Sequence, residues 1–313
     1  MGTRRTFFPV PRGFLPWWEL ERPVDWPRRF GRAAPLTVEI GVGTGENLVR
    51  EARNRPGWNF LGLELKWGRL ARALRRAEEA GLPNVRGLLA DARFVFHRLL
   101  PERSVREVVA LFLDPWPKDR HEKRRLFDRA FLRLAASRLD GGGHMYLVTD
   151  HAPFAEWVEG QAAGTGLSAR RRAVGPGFGT RFEEKWLGTG RHTFWEVRFE
   201  KREHPRIPPP EEADVIAYPV EGFDPRRFRP EPVRGEVTVA FKQFLYDADR
   251  RWGMVRAVVV EPNLTQQLWV EIVHDRKGWR VSPAEGCAFV PTPGVKAALE
   301  AVREAARRSV EEG

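Results

Sequence analysis

The 313-residue chain is predicted to be an α/β protein: a doubly wound, mostly parallel sheet followed by a small α+β domain. Three observations lead there. Short apolar runs alternate with helical stretches over the first two thirds, as in a sheet built from βαβ units. Each notable acid of that part, Glu39, Glu64, Asp91, Asp114 and Asp150, stands at the carboxyl end of one of those runs, where such sheets bind their ligands. Beyond a Pro-rich segment the pattern changes to alternating strands closed by one amphipathic helix.

Taken in order, residues 1–35 are rich in Pro, Arg and Trp and read as a non-repetitive surface arm. LTVEIGVGTG is a strand running into glycines, and ENLVREARNRP has helical spacing that stops near Pro56. NFLGLEL is the second strand, and KWGRLARALRRAEEAG a helix closed by Gly81. NVRGLLADA and VREVVALFLD give the third and fourth strands. EKRRLFDRAFLRLAASRLDGG reads as one helix, HMYLVTD as the fifth strand and PFAEWVEGQAAGTG as a helix. RFEEKWLGTG and HTFWEVRFEK alternate as a hairpin would. These elements give a domain over 36–204, then a linker over 205–235 whose PRIPPPEEAD is stiff and extended. In the last domain, 236–313, VTVAFKQFLYD, GMVRAVVVE, QQLWVEIVHD and GWRVS read as strands, and GVKAALEAVREAARRSVEE as the final helix.

Composition narrows the function. The formal net charge is +11, and it is unevenly placed: residues 1–204 carry 37 basic and 25 acidic side chains, residues 205–313 carry 16 and 17. Only the first part offers a field that attracts a polyanion. The single cysteine, Cys287, excludes an intramolecular disulfide and argues against a cysteine-built metal site, so no metal is expected. The N-terminus lacks the apolar core of a signal peptide, and no run is long enough to span a bilayer. A cytoplasmic protein is therefore expected. Asn and Gln total only nine, which hints at a thermophilic source.

The turn Glu39-Ile-Gly-Val-Gly-Thr-Gly45 joins a strand to a helix. Its glycines do not satisfy GxGxxG, and no GxxxxGK[ST] occurs, so dinucleotide and nucleoside triphosphate readings lose support. Glu39 would repel a pyrophosphate but can pair with an ammonium or sulfonium group. Glu64 is placed to accept the two hydroxyls of a ribose, and Asp91 to cap an adenine edge. Three acids around a glycine turn favour S-adenosylmethionine, with Gly41 and Gly43 giving backbone access.

The other informative stretch is ALFLDPWPKDRHEKRRLF, residues 110–127. Asp114 ends a strand, Pro115 and Pro117 stiffen the turn around Trp116, and Lys118, Arg120, His121, Lys123, Arg124 and Arg125 follow. Cations are poor partners for the start of a helix, so an external anion, the phosphates of a nucleic acid, explains them better.

Residues 36–204 resemble the bacterial tRNA (guanine-N7)-methyltransferase family. The resemblance rests on EIGVGTG, NFLGLEL, LLADA, LFLDPWPKDRHEKRR, LVTD and GTRFEEKWLGTGRH. It implies a class I S-adenosylmethionine-dependent methyltransferase fold and methyl transfer to N7 of guanine 46 in the tRNA variable loop. It also implies that Glu39, Glu64 and Asp91 bind the cofactor and that Asp114 lies on the cofactor side of the reaction centre as the catalytic residue. Lys118, Asp150, Thr180, Arg181 and Glu183 would contact the tRNA; the family commonly has Lys where this chain has Arg181. No obligate protein partner is evident in the sequence. The segment 205–313 lies beyond the family's usual end, and its near-zero charge favours a role in stability over a second grip on RNA.

Overall fold

The computed structural model describes residues 10–190 and 192–311, so the first nine residues of the arm and Arg191 of the GTGRH motif lie outside the described residues. The chain divides into two units between Pro208 and Pro209.

In the first unit, described residues of the segment expected to be a surface arm pack into the domain. Asp25 caps helix α1 (Trp26–Phe30) by accepting from the Arg28 amide at 3.1 Å, and α1 buries Trp26 and Phe30. The Val24 amide donates to Leu99, and Phe14 forms a bridge with Gly87. There follow β1 (Leu36–Ile40), α2 (Glu46–Asn54), β2 (Asn59–Glu64), α3 (Trp67–Glu79) and β3 (Val85–Leu89). A short α4 (Ala92–Phe94) runs on as a π-helical turn and leads to β4 (Val105–Leu111). After a 3-10 turn over Asp119–Arg124 come α5 (Arg129–Arg138), β5 (Leu139–Thr149), α6 (Ala152–Gly160), β6 (Leu167–Val174), α7 (Arg181–Leu187) and β7 (Phe194–Lys201).

The strand order is β3-β2-β1-β4-β5-β7-β6, parallel from β3 through β5, with β7 antiparallel to both its neighbours. Every residue of β1 is buried, as expected of a strand covered by helices on both faces.

Two expected elements differ. The helix read over 122–142 starts only at Arg129, because the Asp128 carboxylate accepts from the Phe131 amide at 2.8 Å and fixes the cap there. The basic residues before it occupy the 3-10 turn and its extended C-cap, Arg125. The hairpin is formed by β6 and β7, while 181–187 is helical. Thr-Arg-Phe-Glu, residues 180–183, carries the S/T-x-x-E signature of a helix start, and Thr180 Oγ1 accepts from the Glu183 amide at 3.2 Å. Strand β6, LSARRRAV, is a sheet edge whose arginines dilute the apolar signal while protecting the edge.

The second unit is an antiparallel sheet of β8 (Tyr218–Val220), β9 (Thr238–Asp247), β10 (Trp252–Glu261), β11 (Leu264–Asp275) and β12 (Gly278–Pro283), ordered β8-β12-β11-β10-β9. Helix α8 (Pro293–Glu311) buries Val295, Leu299 and Val302 in one cluster with Val255, Val259 and Ile272. The segment expected to be linker supplies β8 and the core residues Phe223 and Phe228, so only its beginning is extended chain. Glu261 anchors the start of α8, accepting from Thr292 Oγ1 at 2.6 Å and from the Gly294 amide at 2.9 Å. Among the described residues no helix is long and apolar enough to cross a membrane.

Near the amino end of β4, Glu107 receives two bonds from Arg55, at 2.9 and 3.2 Å, and pairs with His144 at 3.3 Å. Burial pushes its carboxyl up, but the bonds from His144 and Arg55 win and hold it down at about 2. A depressed acid stabilises the fold above its unfolded value near 4.5 and loses that contribution as pH falls toward 2. Glu107→Gln is therefore expected to lower stability by about 2–3 kcal/mol at pH 7 and to flatten the acid limb between pH 4.5 and 2, as read by denaturant titration at each pH.

Candidate cofactor and acceptor site

From β1 the chain winds outward through β2 to β3, then returns to the other side of β1 as β4. The connections leaving the carboxyl ends of β1 and β4 thus depart in opposite directions and open a crevice between them. A cavity of about 700 Å³ fills it.

One wall is the glycine turn. Gly41, Gly43 and Gly45 have φ of 74°, 55° and 86°, which L side chains adopt at a cost. A Cβ on Gly45 would stand 2.6 Å from that of Ala73, so α2 and α3 approach there without a side chain between them. A Cβ on Gly43 would meet no atom within 4 Å; Gly43 lines the cavity, and its missing side chain leaves room for a ligand.

The acids of this wall differ in state. Glu39 is buried, and Asn47 Nδ2 donates to its Oε2 at 2.8 Å. Burial pushes its carboxyl up to about 8, against the opposing effects of the Asn47 bond and the nearby Arg50 charge. Glu64 Oε1 accepts from the amides of Leu65 and Lys66 at 2.9 and 3.0 Å, and its Oε2 accepts from Gly43 at 3.1 Å. It thereby ties the end of β2 to the glycine turn. Asp91 caps α4 by accepting from the Arg93 amide at 2.8 Å and stays exposed on the cavity.

The facing wall is the turn after β4. Phe112 and Trp116 both take positive φ, 54° and 45°, each costing about 1–2 kcal/mol for an L residue. Phe112 is held by its amide bond to Val148 at 2.8 Å and by packing against Phe178 and Phe194. Trp116 is held by Arg125, whose Nε and Nη2 donate to its carbonyl at 3.3 and 3.1 Å. The Arg124 guanidinium lies 4.8 Å from the centre of the indole ring, and His121 meets the ring edge-on at 5.7 Å. Asp114 stands exposed between the two positive-φ residues and lines the cavity.

The third side is the start of α7, where Thr180, Arg181 and Phe182 line the cavity. The loop before α7 is held by Glu183. Its buried carboxylate accepts from the amides of Gly177, Phe178 and Gly179 at 2.6, 3.0 and 2.6 Å.

The structure brings together Glu39, Gly41, Gly43, Glu64, Asp91, Asp114, Arg124, Thr180 and Arg181 around one cavity. Arg120, His121 and Lys123 are on the adjoining 3-10 segment outside it, Lys118 just before that segment, and Asp150 is half-buried just after β5. Two sequence expectations change. Arg125 is buried against the Trp116 carbonyl and stacks over Trp157 at 4.8 Å, so it supports the turn instead of presenting its charge outward. Glu183 is committed to three amides, so it shapes the loop from within and does not face a base. Sequence reasoning missed Asn47, Arg69 and Phe182 and gave Trp116 no role in the site, and all four line the cavity. Phe182, 45% exposed beside a Thr-x-x-Glu cap, was the most legible of these. No group of residues that could hold a metal ion occurs among the described residues.

A family model described as "Putative methyltransferase" matches residues 33–194. A tRNA (guanine-N(7)-)-methyltransferase of Thermus thermophilus is 34% identical over 278 residues, covering 87% of this chain and 89% of that protein. The chain belongs to the tRNA (guanine-N7)-methyltransferase family. Another relative, of that same name and from Deinococcus radiodurans, is 36% identical over 289 residues, 86% of this chain and 88% of its own. One from Escherichia coli K12 is 38% identical over 187 residues, 57% of this chain and 77% of its own. The first and second alignments are longer than the first unit, so they reach into the second.

The 3-2-1-4-5-7-6 sheet with its antiparallel seventh strand is the class I methyltransferase arrangement, and S-adenosylmethionine is the cofactor. The residues present fit it. A buried carboxylate at the end of β1 is suited to an ammonium, Glu64 Oε2 retains acceptor capacity for a ribose hydroxyl, and Gly43 leaves space for the ligand.

The Glu39 carboxyl is raised on folding, so the fold is stabilised by its protonated form below about 4.5 and that contribution is lost as pH rises through about 8. Glu39→Gln should leave Tm at pH 8.5 unchanged or higher, while weakening S-adenosylmethionine binding at least tenfold by calorimetry. A lower Tm with unchanged affinity would assign Glu39 to the fold alone.

Proposed function

We propose that the protein transfers the methyl group of S-adenosylmethionine to N7 of guanine 46 in the variable loop of tRNA. The observation that carries this reading is the facing arrangement of Glu39 and the glycine turn against Asp114 and Trp116 across one cavity, with exposed cations adjoining. When bound, the cofactor supplies an electrophilic methyl carbon on a sulfonium.

Guanine N7 already holds an in-plane lone pair, so no residue has to remove a proton. The cofactor would supply its methyl carbon to that lone pair and keep the carbon–sulfur electron pair on its own sulfur. Positive charge therefore moves onto the purine. The Asp114 carboxylate meets it and accepts from guanine N1–H and the exocyclic amino group, which orients the ring. Adenine, with a lone pair at N1, would leave that carboxylate facing an acceptor. Trp116 and Phe182 offer flat apolar surface to a base turned out of its stack. Lys118, Arg120, Lys123 and Arg124 hold the flanking phosphates, with Arg181 added from α7.

The test is transfer from labelled S-adenosylmethionine to unmodified tRNA transcripts carrying guanine or adenine at position 46, followed by nucleoside analysis. Label is expected as 7-methylguanosine in the guanine transcript alone; label in another nucleoside would overturn the assigned position. Asp114→Ala should lower kcat/KM by about 100-fold or more, and a loss under about threefold would remove Asp114 from the reaction centre. Affinity for tRNA should fall steeply with salt.

A further inference from the structure

The cofactor wall and the acceptor loop are joined by an unbroken line of polar contacts. Asn47 and Arg50 sit one turn apart on α2, so their side chains share a face. Asn47 Nδ2 donates to Glu39 Oε2 at 2.8 Å, and Asn47 Oδ1 accepts from Arg50 Nη2 at 2.5 Å. Arg50 Nη1 donates to the carbonyl of Phe178, in the loop between β6 and α7. That loop is the one whose three amides are gathered by Glu183. Gly179 permits the approach, since a Cβ there would stand 2.9 Å from Arg50 Nη1. The same loop leads directly into Thr180, Arg181 and Phe182 on the cavity.

We propose that Asn47 and Arg50 are positioning residues that couple occupancy of the cofactor wall to the setting of loop 175–180 and the start of α7. The inference rests on the reading of the Glu39 wall as the cofactor end and of α7 as the acceptor end. The Asn47 amide has one donor end and one acceptor end, and both are used. A cation engaging Glu39 holds it as the carboxylate, the form that accepts more strongly from Asn47 Nδ2 than a neutral carboxyl does. That polarises Asn47 Oδ1 toward Arg50 and fixes the guanidinium on the Phe178 carbonyl. The loop is then gripped at its amides by Glu183 and at a carbonyl by Arg50, which orders the surface the purine meets. Linkage is reciprocal, so tRNA bound against α7 must tighten the cofactor by the same factor.

The experiment is amide hydrogen exchange on the full chain with and without saturating S-adenosylhomocysteine, in wild type, Arg50→Gln, Arg50→Lys and Asn47→Ala. In wild type the ligand is expected to slow exchange at 177–179 by about fivefold or more, alongside residues 41–47. Arg50→Gln should lose the effect at 177–179 and keep it at 41–47, Asn47→Ala should lose it at 177–179, and Arg50→Lys should retain a fraction. Unchanged exchange in β1 and β4 of each variant shows that it has folded. Equal protection at 177–179 in wild type and Arg50→Gln would overturn the relay, because the ligand would then order the loop by direct contact. So would protection at 41–47 without any at 177–179 in wild type. An absence of protection at 41–47 in wild type would instead overturn the cofactor reading on which the relay stands.

Discussion

The reversal of winding direction on either side of β1 is the constraint from which the site follows. Because β2 and β4 flank β1 in parallel, hydrogen bonding closes the sheet along its length but cannot close the space above its carboxyl edge. The loops after β1, β2, β3 and β4 each supply part of the wall of that crevice. The acids at the strand ends thereby become neighbours although they are far apart in sequence. Glu39 and Asp114 are 75 residues apart and face one cavity.

A crevice alone does not hold a turn with two residues at positive φ. The fold meets that cost with the buried Arg125 on the Trp116 carbonyl and with Phe112 packed on Phe178, in the loop that Glu183 holds by three consecutive amides. Arg125 and Glu183 are both charged groups spent on backbone atoms, where a neutral side chain would make weaker bonds. The basic run is thus divided in its work. Arg125 supports, Arg124 covers the indole, and Lys118, Arg120 and Lys123 remain at the surface.

Much of this was legible in the sequence. The strand–glycine–helix passage at 36–54 and the acids at strand ends were read correctly because periodicity and turn chemistry act locally there. The misreadings have local causes too. RFEEKWLG alternates well enough to pass for a strand, yet the Thr180 cap decides for helix. The segment over 205–235 has a linker's prolines, but Phe223 and Phe228 find a core made by strands that come later in the chain. The inward roles of Arg125 and Glu183 depend on backbone atoms exposed by positive-φ turns, and no residue spacing announces those.

The near contact between Gly45 and Ala73 has a consequence for how the family can vary. A methyl added at Gly45 has no space to enter, and glycine cannot be made smaller to admit a larger partner at 73. The two positions are therefore locked as a pair. Drift in size at 73 requires α3 to move away from α2, and α3 begins at the loop that Glu64 ties to the glycine turn. Substitution in the buried seam between two helices would thus be felt as a change in the shape of the cofactor wall, and selection on methyl transfer would reach a residue that touches no ligand.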